Sequence, residues 1–265
     1  MRPSEVSLPG TTVFGTTVFL HSLGLDGGMW HEVRDCLPGS DIRTPTSLGH
    51  RGRAHEGAIT LDRWTDDLTA FIDRECVGPV NLVGLSLGGI QAIHFAARHP
   101  GRVRALVVAD SFAYLPDDVA RARIDGMRDR VGELGMAGHA RAYLDETLTA
   151  PVAPVRVDEL ARSIGGLDAE VYLDVVRACF TADVRADLAD VASPTLVLIG
   201  ERDEKTPMPA ARAIADGIPG AQLRSIPGAG HLASIDNPRP FADALTAFLT
   251  DETVGSPART ETSAS

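Results

Sequence analysis

The stretch VNLVGLSLGGIQAIHFAARHP, residues 80–100, decides how the chain is read. Its opening, VNLV, is an apolar run of the kind found in strands buried on both faces. Its second half, GGIQAIHFAARHP, carries a helical pattern that ends before Pro100. Between the two stands Ser86, with Gly84 two positions before it and Gly88 two after. A hydroxyl that acts from the tip of a strand must sit on a sharp strand-to-helix turn, where the crowded backbone leaves no room for side chains two residues either side. The turn also sets the hydroxyl near the positive end of the following helix and aims the Leu87 amide at an oxygen lying before it. A chemically idle glycine-rich turn would satisfy the same five-residue pattern. The flanking strand and helix are what make Ser86 a candidate nucleophile.

Outward from this turn, apolar β-branched runs alternate with amphipathic helical patterns, the signature of an α/β sheet covered by helices. TTVFLHS (16–22), RALVVADS (104–111) and PTLVLIGE (194–201) join 80–86 as central strands, with DIRTPT (41–46) and QLRSIPG (222–228) as weaker strands at the flanks. The residues before Gly15 are a further, antiparallel candidate. In the helical runs, Leu61, Trp64, Leu68, Phe71 and Ile72 share one stripe, as do Phe241, Leu245, Phe248 and Leu249. Thr206 and Pro207 have the form of an N-cap and first helical position. The alternation breaks between residues 116 and 188, which carry helical pattern and no strong strand. This predicts a core of residues 1–115 and 189–252 with a helical cap, 116–188, inserted over the strand ends. Residues 253–265 lose all apolar periodicity and read as a disordered tail.

A nucleophilic serine needs a base, and the base an orienting acid. Of eight histidines, His231 lies in IPGAGHLASIDNP, a glycine-rich loop after the last strand that can return an imidazole over the strand ends. His94 and His99 fall in the helix after Ser86, pointing away; His31, His50, His55 and His139 lie in polar, exposed-looking stretches. His21 ends the first central strand near the site but precedes the nucleophile. For the acid, Asp203 in VLIGERDEKTP follows a buried strand and stands between Ser86 and His231; Asp110, ending LVVAD, is its rival, with a turn cap as its other role. Glu201, Glu204 and Asp236 are lesser candidates. The loop LHSLGLDGGMW (20–30) can supply a second oxyanion donor, the Leu23 amide, beside that of Leu87. Ser22, Asp110, Phe112 and Tyr114 are candidate pocket residues.

Composition narrows the rest. At 265 residues, 44% hydrophobic and 23% charged, the chain can bury a core that needs no covalent staple. Its three cysteines, Cys36, Cys76 and Cys179, are widely spaced, so neither a disulfide framework nor a zinc site is expected. No H-E-x-x-H pattern occurs, and no metal or other cofactor is expected. A net charge of −11 argues against nucleic acid as a partner. The arginines of 121–130, alternating with aspartates, read as a solvated helix face. No run approaches the roughly 18 apolar residues of a membrane span and the N-terminus lacks an apolar signal core, so a cytoplasmic protein is expected. Nothing in the sequence fixes an oligomeric state.

HSLG (21–24), GLSLGG (84–89), GERDEKTP (200–207) and GAGHL (228–232), taken together and in this order, resemble the α/β-hydrolase superfamily over about residues 10–250. HSLGLDGGMW and GHLASIDNP are similar to its 3-oxoadipate enol-lactonase branch and small-ester relatives. In the loop TSLGHRG (46–52), Thr46 stands where the superfamily commonly has aspartate, and the segment 116–188 has no tryptophan. The resemblance implies the α/β-hydrolase fold, with Ser86 as nucleophile, Asp203 as acid, His231 as base and 116–188 as the cap. The expected activity is that of a cofactor-independent serine hydrolase acting on a small, mostly apolar carboxylic ester or lactone. Two rivals use the same fold: a C–C bond hydrolase of a ketonic substrate, and a small-ligand-binding protein without turnover.

Overall fold

Strands with unbroken apolar runs need cover on both faces, and the chain supplies it with helices. The computed structural model describes residues 14–53 and 57–251. In chain order these form β1 (Thr17–Leu20), α1 (His31–Asp35), β2 (Ile42–Arg43), α2 (Leu61–Glu75), β3 (Val80–Leu85), α3 (Leu87–Arg98) and β4 (Val103–Ala109). After these come α4 (Asp117–Thr147), α5 (Pro154–Gly165), α6 (Ala169–Phe180), β5 (Thr195–Gly200), α7 (Met208–Gly217), β6 (Gln222–Ile226), α8 (Ala233–Asp236) and α9 (Pro238–Leu249). The six strands make one parallel sheet in the order β2-β1-β3-β4-β5-β6.

Alternate residues of the central strands feed two cores. Val18, Leu20, Leu82, Leu106, Val108, Val197 and Ile199 pack on the side of α2, α3 and α7. Phe19, Val83, Leu85, Val107, Leu196 and Leu198 pack with Trp30, Phe241, Leu245 and Phe248 on the other. Each such side chain contributes about 1.5–3 kcal/mol when fully buried. The predicted stripes are the buried faces of α2 and α9, although Leu61 and Phe71 are only half-buried.

Sheet order reverses between β1 and β3, which leaves a crevice beyond their carboxyl ends, the usual ligand position in open α/β sheets. Both the turn after β3, at Ser86, and the loop after β1, at Leu23, open onto it. Residues 116–188 contribute α4, α5 and α6 and, among the described residues, no strand. α4 is interrupted at Gly135, whose φ of 64° departs from the helix.

Some expectations change. DIRTPT yields only Ile42–Arg43, a half-buried edge pair. Thr206 is not an N-cap: α7 starts at Met208 with Pro207 before it and no side-chain cap, and the Thr206 hydroxyl is used elsewhere. His50 and His139, assigned to exposed stretches, are both fully buried. The strand proposed before Gly15, His55 and the tail 253–265 lie outside the described residues, Phe14 aside.

Candidate active site

The turn between β3 and α3 is as sharp as its glycines imply. Ser86 has φ 56° and ψ −116°, a left-handed-side conformation rare outside glycine, so the site stores backbone strain. The turn is held by the Ser86 amide, which donates to the Ala109 carbonyl at 2.9 Å, and by the Ser111 hydroxyl, which donates to the Ser86 carbonyl at 2.8 Å. A Cβ on Gly84 would run into the Gly88 carbonyl, and one on Gly88 into the Leu20 carbonyl.

Three side chains from distant parts of the chain meet here. His231 Nε2 lies 3.0 Å from Ser86 Oγ, and His231 Nδ1 lies 3.0 Å from Asp203 Oδ2. All three residues are buried, with 5–6% of their surface exposed. Asp203 is over-determined: Oδ1 accepts from the amides of Lys205 (2.8 Å) and Thr206 (3.0 Å), and Oδ2 also accepts from the Thr206 hydroxyl (2.5 Å). Burial pushes its pKa up, but the hydrogen bond and charge of His231 and the Thr206 donors outweigh burial and hold it at about 2. The acid is therefore ionised across the physiological range and can fix the imidazole with Nε2 free to accept a proton.

Asp110 is placed differently. It is fully buried at φ 46°, and its oxygens accept the amides of Gly200 (2.6 Å) and Ala233 (3.3 Å). It ties the end of β5 to the start of α8, rather than bonding His231. Burial, then the neighbouring charge of Asp203, raises its pKa well above the usual carboxylate value. Asp236, another candidate acid, clamps the histidine loop: it accepts from the Gly230 amide (2.8 Å), the Thr149 amide (3.0 Å) and the Thr149 hydroxyl (2.7 Å).

The loop after β1 is locked by two histidines in contact. Gly24 donates its amide to His50 Nε2 at 3.0 Å, and Ser47 donates to His21 Nε2 at 3.0 Å. Each ring donates its Nδ1–H to a carbonyl, His21 to Ser22 and His50 to Leu48, and the rings meet edge to face at 4.7 Å between centroids. Burial lowers the pKa of both, and well below the ordinary value for His50, so both stay neutral and keep accepting at Nε2. Ser22 and Gly24 spend their amides on Met29 and His50. Among the described residues, no acceptor is given to the amides of Leu23 or Leu87.

A cavity of about 330 Å³ opens at the triad, lined by Ser86, His231, Thr206, Leu23 and Phe112 from the core. Glu204 and Lys205 of the core add to this lining, and the helical insert supplies the rest, with Arg123, Met127, Arg130, Tyr143 and Phe180 prominent. Of the proposed pocket residues, Phe112 faces this cavity. Ser22 is buried beside the Tyr143 phenol, Asp110 is beneath the loops, and Tyr114 lies under the Arg185 guanidinium, 3.7 Å from its ring centroid, along a separate groove. The arginines of 121–130 do not form one solvated face: Arg121 and Arg128 are exposed, but Arg123 and Arg130 line the cavity. The spacing of Arg123, Met127 and Arg130, i, i+4 and i+7, was the available signal for that lining face.

Known proteins resemble the chain along almost its whole length. It is 28% identical to 3-oxoadipate enol-lactonase 1 of Acinetobacter baylyi, over 92% of each chain. It is 30% identical to a pimeloyl-[acyl-carrier protein] methyl ester esterase of Chromobacterium violaceum, over 88% of this chain and 93% of that protein. Among solved structures, the enol-lactonase of Burkholderia xenovorans LB400 superposes with a TM-score of 0.80 at 26% identity, covering 91% of this chain and 93% of that one. A sequence model of one family matches residues 17–244, from β1 into α9. The chain therefore belongs to the alpha/beta hydrolase family.

Proposed function

We propose that the protein is a cofactor-independent serine hydrolase that cleaves a small carboxylic ester or lactone through an acyl-enzyme. The observation that carries the reading is the continuous relay Ser86 Oγ, His231 Nε2, His231 Nδ1 and Asp203 Oδ2, with both gaps at 3.0 Å. The relatives named as a lactonase and an ester esterase support the substrate class.

In this reading His231 Nε2 takes the Ser86 proton as Oγ attacks the substrate carbonyl carbon. The carbonyl π pair moves onto oxygen, and the amides of Leu23 and Leu87 hold that oxyanion, each lowering the barrier by about 3 kcal/mol. The tetrahedral adduct collapses, the C–O bond to the leaving alkoxide breaks, and His231 returns the proton to that oxygen. In a lactone the freed hydroxyl stays on the acyl group. Water then attacks the acyl-enzyme, deprotonated by His231, the acyl C–O bond to Ser86 breaks as Oγ regains its proton from His231, and the carboxylic acid leaves and ionises to solvent. Asp203 stays ionised and stabilises the imidazolium. Residues 116–188 act as a cap that walls the cavity and lowers its water content.

The reading is tested with p-nitrophenyl esters and a fluorophosphonate probe. Wild type should turn over the esters and take up the probe, and Ser86→Ala should lose the label and at least about 10⁴-fold in kcat. Probe labelling that persists in Ser86→Ala would remove this serine from the chemistry.

A further inference from the structure

The protein carries a net charge of −11, yet the cavity in front of Ser86 is lined by three cations, Arg123, Arg130 and Lys205, against two carboxylates, Glu146 and Glu204. Those carboxylates do not neutralise the three evenly. Glu204 is exposed. Glu146 is committed to Arg130, with 2.9 Å between Nη1 and Oε2, and the same oxygen is 4.0 Å from Lys205 Nζ. Arg123 has no carboxylate within ion-pair distance among the described residues. It is instead a built group: one Nη donates to the Lys205 carbonyl at 2.7 Å, and the guanidinium lies over the Phe180 ring, 5.6 Å from its centroid. The Lys205 amide in turn donates to Asp203, so the anchor of Arg123 is two residues from the candidate acid. Such an anchoring fixes the guanidinium while leaving most of its five donors uncommitted. Desolvation lowers the pKa of both Arg123 and Lys205, the cost of holding each charge in a half-enclosed cleft, and the Arg130 and Arg123 charges lower that of Lys205 further. An anion between them would relieve it.

We infer that Arg123 and Lys205 form an anion subsite of the cavity, which fastens a carboxylate on the substrate and so selects esters or lactones that carry an ionised carboxyl group. A guanidinium fork matches the two oxygens of a carboxylate, and the neighbouring Phe112, Phe180 and Met127 suit the short aliphatic chain joining it to the scissile carbonyl. The inference rests on the proposed serine hydrolase reading and narrows its substrate.

The test compares mono-p-nitrophenyl esters of adipic, pimelic and suberic acid with p-nitrophenyl hexanoate, heptanoate and octanoate, chains matched in length and differing in one carboxylate. Wild type should prefer the charged ester of at least one pair by about tenfold or more in kcat/KM, mostly through KM and weakening with added salt. Arg123→Gln, which removes the charge and keeps a polar side chain, should cut that ratio by about tenfold, and Arg123→Glu should invert it. Arg128→Gln, on the exposed side of α4, is the control for net charge. Fluorophosphonate labelling of each variant certifies a folded site. Equal kcat/KM within all three pairs, or a ratio that Arg123→Gln leaves unchanged, overturns the subsite while leaving the serine hydrolase reading in place. Wild type that neither labels nor cleaves any of the six esters overturns both.

Discussion

Two carboxylates buried near one imidazole illustrate how environment assigns roles that composition does not. Asp203 is surrounded by donors, from His231, from Thr206 twice and from Lys205, and keeps its charge down to about pH 2. Asp110 has two backbone amides, but burial first and the charge of Asp203 second disfavour its ionisation. Such opposed shifts separate a charged orienting acid from a carboxyl used for tying loops. Asp203→Asn should therefore lower kcat on a neutral ester by about 10⁴-fold, because the amide no longer holds the imidazole in the accepting tautomer. Asp110→Asn should lose far less activity and show its effect in thermal stability, since it disturbs the Gly200 and Ala233 amides. Equal or reversed kcat losses, measured side by side, would transfer the acid role to Asp110. At this scale the meeting of the candidates Ser86, Asp203 and His231 was readable because each sits in a short motif beside a strand end. Thr206 was not, because a Thr-Pro pair before a helix has the form of a cap whether or not its hydroxyl is spent on an aspartate three residues earlier.

At the scale of elements, the strand-turn-helix at Ser86 was legible because its constraint is local: two glycines must be small wherever the backbone folds this tightly. That locality can be tested away from the chemistry. Gly84→Ala keeps every functional group but drives a Cβ into the Gly88 carbonyl, so the turn must open. The expected result is a loss of roughly 3 kcal/mol in unfolding free energy by urea titration, with a fall in kcat larger than any change in KM. A variant of wild-type stability and turnover would show that the turn is not strained there. The helical insert was legible only as helix. Its periodicity gives no sign of the break at Gly135, and the side of α4 that meets the crevice shows only in the spacing of Arg123, Met127 and Arg130, which is not an apolar stripe. A face built for a ligand lacks the apolar stripe by which a core face is recognised.

For the whole molecule, what stayed hidden was burial that depends on parts of the chain distant in sequence. His50 sits in a polar loop and His139 in a charged helix, yet both are fully enclosed, as is His21. All three are held neutral: burial lowers their pKa, to about 4 for His139, where the Arg130 charge adds to the effect. The sign of the consequence follows from linkage. In the unfolded chain each imidazole takes up a proton near its ordinary pKa of 6.5, whereas the folded protein takes none until lower pH, so acidification below 6.5 favours unfolding. Asp110 acts oppositely, since its raised folded pKa makes the native state the better proton binder above 3.8. Asp203 lies outside this window, its contribution being complete above 3.8 and lost only as pH falls towards 2. The three imidazoles outnumber the one carboxyl, so unfolding takes up protons on balance and stability falls as the pH drops below 6.5. Urea midpoints at pH 7, 6 and 5 should therefore fall steeply over the last interval, and His139→Gln should reduce the slope by about one proton. A midpoint that holds steady or rises on acidification would mean that these imidazoles are charged inside the folded protein, and the lock that His21 and His50 place on the loop after β1 would have to be built another way.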